Sequence, residues 1–165
     1  MPYLIDGCNL LRTILDHDER FHPVDEVRMC WTVGRYLSHI ADAGEVVFDG
    51  AGPNDKSRFD SIPGLAVSFA GGGREADDVI EEKIQIHASS DPLIVVSNDR
   101  RLRQAAVQGQ ASALHAEDFW ERVLAEANRK RPPAEPTAKR HGLSESETRM
   151  WLEAFGLGQD GPEEV

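Results

Sequence analysis

Aspartate stands at or just beyond the end of three short apolar runs. Asp6 follows Tyr3-Leu4-Ile5, Asp49 follows Val46-Val47-Phe48, and Asp99 lies just past Leu93-Ile94-Val95-Val96. A further acidic group, Glu75, Asp77 and Asp78, opens a segment with helical spacing. Carboxylates brought together repel unless a cation sits between them. Oxygen-only ligands suit a hard divalent ion, Mg²⁺ or Mn²⁺, rather than zinc. Such an ion positions a water and stabilises phosphate charge during in-line displacement. The expected metal ligands are Asp6, Asp77 and Asp99, joined by Asp49 and Asp78. At ~100° per residue, Asp77 flanks the stripe of Ala76, Val79, Ile80 and Ile84, whereas Asp78 falls nearly opposite it, toward solvent. Asp77 is therefore the expected inward ligand. Glu81 and Glu82 read as a solvated face.

A plainer reading competes at each position. An aspartate after a strand is commonly a turn former or a helix N-cap. Asp99 precedes Leu102 and Ala105 and could simply cap their helix, and Asp49-Gly50 could be a simple turn. Asp6 is harder to explain in that way, because it interrupts the end of a strand that reads as buried.

The elements that must gather these acids are legible as two alternating patterns. The runs at 3–5, 46–48, 65–69 and 93–96 are short and continuously apolar, as in strands of a parallel sheet covered on both faces. A weaker fifth run spans Ala111 to Leu114. Between them lie helical stripes: Val27, Trp31, Gly34, Leu37 and Ile40 within 24–41; Ala76 to Ile84; Leu102, Ala105 and Ala106; and Phe119, Trp120, Val123 and Leu124. Alternating strands and helices predict an α/β, doubly wound parallel sheet. In such sheets ligands bind beyond the carboxyl ends of the strands, at the point where strand order reverses. Acids scattered over about 90 residues would converge there.

Composition limits the classes of function. The chain has 165 residues, of which 40% are hydrophobic and 28% charged, with a formal net charge of -11. That charge excludes a protein that coats nucleic acid non-specifically, but not a nuclease with a local basic rim. Two cysteines, Cys8 and Cys30, form no Cys-x-x-Cys pair and no disulfide framework. The first apolar run is broken at Asp6 and no run approaches the ~18 residues of a membrane span. A cytoplasmic setting is the expectation.

Four pieces resemble the NYN domain family, in its YacP-like branch of the PIN-like nucleases. They are Leu4-Ile5-Asp6-Gly7-Cys8-Asn9, Val46-Val47-Phe48-Asp49-Gly50, Glu75-Ala76-Asp77-Asp78-Val79-Ile80-Glu81 and Val95-Val96-Ser97-Asn98-Asp99. They occur in order within residues 2–125. The resemblance implies a Rossmann-like (PIN-like) sheet of order 3-2-1-4-5, Mg²⁺ or Mn²⁺ dependence and endoribonuclease activity. It implies a catalytic site of Asp6, Asp77, Asp99 and Asn9, with Ser97 as the small hydroxyl residue before the last acid and Asp49 matched by strand position. Cys8 departs from the family pattern, which usually carries tyrosine there, and reads as a small buried thiol.

RNA as partner requires cations near the acids. Lys56, Arg58, Arg74, Arg100 and Arg101 are the expected contacts, with Ser97 and Asn98 beside them. Gly71-Gly72-Gly73 opens no dinucleotide fingerprint. Two rivals stay open: a phosphatase with an aspartyl nucleophile, and a non-catalytic binding module on the same fold. The phosphatase usually needs a second aspartate two residues after the first, where this chain has Cys8.

The expected organisation is a nuclease domain over 1–128, a linker over 129–143 and a C-terminal helical appendage over 144–165. Ser144 and Glu147 form a capping-box pattern. Trp151, Leu152 and Phe155 would dock on the parent domain, on a second copy as a homo-oligomer, or on another protein.

Overall fold

In a computed structural model, the structure describes residues 2–17, 24–87 and 92–129. The sheet-bearing unit runs to Arg129. The linker expected beyond Arg129 and the expected C-terminal helix, with Trp151, Leu152 and Phe155, lie outside the described residues.

The first apolar run becomes β1 (Tyr3–Asp6), and the others become β2 (Gly44–Phe48), β3 (Leu65–Phe69), β4 (Ile94–Val96) and β5 (Ser112–Leu114). All pair in parallel, in the order β3-β2-β1-β4-β5. This is the order expected. The chain moves outward from β1 through β2 to β3, then returns to the other side of β1 for β4 and β5. The reversal falls between β1 and β4, whose register pairs Ile5 with Val96.

Among the described residues, five helices cover the sheet: α1 (Gly7–His17), α2 (Glu26–His39), α3 (Ala76–Ile86), α4 (Arg100–Gln108) and α5 (Ala116–Asn128). Strand side chains alternate between two cores. Tyr3, Ile5, Val46, Phe48 and Val96 pack with Leu10 and Ile14 of α1, Met29, Val33 and Leu37 of α2, and Phe119 and Val123 of α5. Leu4, Val47 and Val95 pack on the opposite side with Ile80 and Ile84 of α3 and Leu102 and Ala106 of α4. Burial on both faces explains why the central strands read as continuous apolar runs.

Two features differ from the pattern reading. Helix α1 was not among the expected stripes, yet it buries Leu10, Thr13 and Ile14 at helical spacing. Its start at Gly7 and its polar Arg12 and Asp16 obscure the period. In α2 the buried face is Met29, Cys30, Val33, Gly34 and Leu37, whereas Trp31 stands 39% exposed. The stripe is rotated because residues 30, 33, 34 and 37 share one face at 3.6 residues per turn.

Candidate active site at the sheet switch point

Asp6 is the anchor. It ends β1, is only 6% exposed, and has both carboxylate oxygens engaged. The Asn9 backbone N–H donates to Oδ1 at 3.0 Å, and the Ser97 hydroxyl donates to Oδ2 at 3.0 Å. Burial pushes the Asp6 pKa up, against these two hydrogen bonds, and the nearby charges of Asp49 and Asp99 push the same way.

Ser97 works on both sides of the switch point. Its hydroxyl also accepts from the Asp99 backbone N–H at 3.0 Å, so one fully buried side chain ties Asp6 to the loop that carries Asp99. Asp99 is the N-cap of α4 and accepts from the Arg101 and Leu102 N–H groups at 2.6 and 3.4 Å. Capping and a place in the acidic pocket therefore coexist in one residue. Asp49 accepts from the Ala76 N–H at 2.7 Å, which fastens the end of β2 to the start of α3. A carboxylate held by one oxygen keeps a second for another cation or donor.

Asp77 is half-buried on the first turn of α3. Its pKa is raised from 3.8 to about 6, chiefly by desolvation and then by the charges of Asp6 and Asp99. Asp6, Asp49, Asp77 and Asp99 line one open pocket of about 270 Å³, together with Asn9 and Glu75. Asp78 lies on the exposed side of the same helix turn and pairs with Arg101 at 2.9 Å.

Among the described residues, no three His, Cys, Asp or Glu side chains are drawn together as closely as a bound ion would draw them. The set still fits a hard cation by its chemistry: all-oxygen donors from four elements, in surroundings where burial and negative charge together hold a proton on Asp77.

Several expected RNA contacts are placed differently. Asn98 is turned into the protein. Its Oδ1 accepts from the Ala116 N–H at 3.0 Å and meets His115 Nδ1 at 3.2 Å, while its Nδ2 donates to Glu117 at 2.8 Å and Thr13 at 3.4 Å. Its backbone N–H donates to Asn9 Oδ1 at 3.0 Å. Asn98 thus buttresses the site from behind, through Asn9 in the pocket wall. Arg101 reaches Asp78 and Glu81, and Arg74 reaches Glu82 at 2.6 Å, so both guanidinium charges are matched. Lys56 sits 4.9 Å above the Phe69 ring, and Arg58 and Arg100 are exposed.

Two pocket residues were missed or misjudged in the sequence. Arg12 lines the pocket from α1, and its place four residues after Cys8 and three after Asn9 would have revealed it had α1 been recognised. Cys8 is half-buried in the pocket wall beside Asp49, not a core thiol; burial raises its pKa. The buried cysteine is Cys30, whose pKa is pushed up to about 12 by burial.

The family model for the YacP-like NYN domain matches residues 3–154. The chain belongs to the YacP-like NYN domain family. Among solved structures, Rae1 (YacP) from Bacillus subtilis is similar at 21% identity and a TM-score of 0.62, over 94% of this chain and 88% of that one. A mutant form of the same Bacillus subtilis protein is similar at 21% identity and a TM-score of 0.60, over 78% and 77%. No match is found among curated protein sequences. At this identity the structures support the NYN fold alone, which is of the nuclease type. Among the described residues, no helix is long and apolar enough to cross a membrane.

Proposed function

We propose that this NYN protein is an endoribonuclease that uses Mg²⁺ or Mn²⁺ to hydrolyse RNA phosphodiester bonds at the switch-point pocket. One observation carries the reading: Asp6, Asp49, Asp77 and Asp99 come from four separate elements yet line one pocket where strand order reverses. Asp6, Asp77 and Asp99 would hold the cation, with Asp49 beside them. When bound, the cation supplies a polarised water and neutralises charge on the phosphate undergoing in-line displacement.

The chain's own residues supply position. Ser97 and the Asn9 N–H fix both oxygens of Asp6, so this carboxylate has little freedom to turn away. Asn9 and Asn98 hold the β4–α4 loop, and with it Asp99, against α1. The Asp77 carboxyl keeps its proton until about pH 6 in the free protein and then offers a full negative charge. Lys56, over the Phe69 ring at the end of β3, Arg100, at the start of α4, and the exposed Arg58 would steer the RNA backbone. Asp78 acts indirectly, by matching the charge of Arg101 together with Glu81.

The test is a cleavage assay on structured and single-stranded RNA with Mn²⁺, with EDTA, and with Asp6→Asn or Asp99→Asn. Cleavage should need the metal and both aspartates, and each variant should melt no lower than the native chain. Full activity in EDTA, or in either variant, would overturn the metallonuclease reading. Hydrolysis of a small phosphomonoester with a trapped phosphoaspartate would replace it with the phosphatase chemistry.

A further inference from the structure

The cations around the acidic pocket are not equivalent. On the α3–α4 side, Arg101 bridges Asp78 and Glu81 through contacts of 2.9 and 2.7 Å. Arg74, just before α3, is matched by Glu82. Across the pocket, Arg12 projects from the exposed face of α1. Among the described residues it has no ion pair and no side-chain hydrogen bond. It stays unpaired although it borders a pocket rich in carboxylates. Those carboxylates are turned to other donors: Asp6 to Asn9 and Ser97, Asp49 to Ala76, Asp99 to the start of α4.

A guanidinium with its fork unspent, at the rim of a site that must receive a polyanion, is suited to bidentate capture of a phosphate. We infer that Arg12 grips a backbone phosphate of the RNA at the α1 side of the pocket and so sets where the strand enters. This rests on RNA being the substrate. The matched guanidinium of Arg101 contributes little to that capture, because its charge is already neutralised by two carboxylates.

The experiment compares the full chain with Arg12→Ala, Arg12→Lys and Arg101→Ala. Affinity for a short labelled single-stranded RNA is measured in EDTA over a range of salt, and KM and kcat are measured in Mn²⁺. Arg12→Ala should weaken binding and raise KM roughly tenfold, as for the loss of a charged hydrogen-bonded contact. Its kcat should stay within about twofold of the native chain. Its slope of log affinity against log salt should fall by about 0.7, the loss of one phosphate contact on a single strand. Arg12→Lys should keep the slope and recover only part of the affinity, since an ammonium cannot make the forked contact. Arg101→Ala should leave the slope unchanged.

Because Arg12 is exposed, its variants should melt with the native chain, and binding can be read without a folding defect. An Arg12→Ala protein with native affinity, slope and KM, or one that loses only kcat, overturns the inference. So does a slope that falls in Arg101→Ala and not in Arg12→Ala. Arg12-dependent binding without cleavage in Mn²⁺ would sink the nuclease reading and leave Arg12 as an RNA contact. Cleavage indifferent to Arg12 would do the reverse. A chain that neither binds nor cleaves RNA sinks both.

Discussion

The adjacent acids of α3 are separated by one helical step and have opposite surroundings. Asp77 shares the pocket with Asp6 and Asp99, whereas Asp78 is exposed and paired with Arg101. Asp77→Asn should therefore reduce cleavage at least a hundredfold, about 2.7 kcal/mol of barrier, and Asp78→Asn less than tenfold. Steady-state kinetics check this, and equal losses would mean that both carboxylates act in the pocket. The raised pKa of Asp77 also has a definite sign in stability. Its folded value of about 6 lies above the ordinary 3.8, so the folded state holds the proton more tightly. The resulting stabilisation is fully present below about pH 4 and is lost as pH rises through about 6. In metal-free buffer, Asp77→Asn should thus raise the melting temperature at pH 7.5 relative to the native chain, and the difference should shrink toward pH 4. A difference independent of pH would show that Asp77 does not titrate as described.

At the scale of elements, the junction between β1 and α1 permits almost no added volume. A Cβ on Gly7 would lie 2.6 Å from the Phe48 ring and 2.7 Å from Val46 Cγ1. Phe48 is buried and stacked on Phe69 at 5.6 Å, which leaves it little room to yield. Gly7→Ala should destabilise the fold by about 1–3 kcal/mol through overpacking, measured by urea unfolding. Activity should fall with it, because α1 carries Asn9 and Arg12 and begins directly after Asp6. An unchanged midpoint would show that α1 can shift away from the sheet. The same close approach explains why this helix begins with glycine, a poor helix former: the position is chosen for packing.

For the whole molecule, an acidic chain with a narrow cationic rim should behave unlike a protein that coats nucleic acid. Its RNA affinity should depend shallowly on salt, with ~2–4 phosphates neutralised, since the slope follows the number of contacts. A steep slope, as for a large repressor, would refute the narrow rim. Cation binding to the folded state alone should also stabilise it. At about 100 times the dissociation constant, Mn²⁺ should add ~2.7 kcal/mol. That should raise the melting temperature by roughly 5–10 °C, and Asp6→Asn should abolish most of the rise. An equal rise in the variant would place the cation elsewhere.

Burial and periodicity act locally, so the sequence by itself determined the element types. Short runs of branched apolar residues mark strands covered on both faces, and the stripe through Ala76, Ile80 and Ile84 marks a helix lying on one of them. Aspartates at the ends of such runs were bound to meet at one sheet edge, because parallel strands all present their carboxyl ends there. Strand order was not carried by periodicity; the four family motifs implied it. Helix α1 stayed hidden because a tightly packed glycine and solvent-facing polar residues mask its stripe. Only the tertiary structure decided which guanidinium is matched by carboxylates and which amide is occupied. Arg101 loses its availability to Asp78 and Glu81, some 20 residues away along the chain, and Asn98 gives both ends of its amide to residues on α1 and α5. Such pairings depend on distances of a few ångströms between packed helices, which residue type and spacing along one chain do not encode.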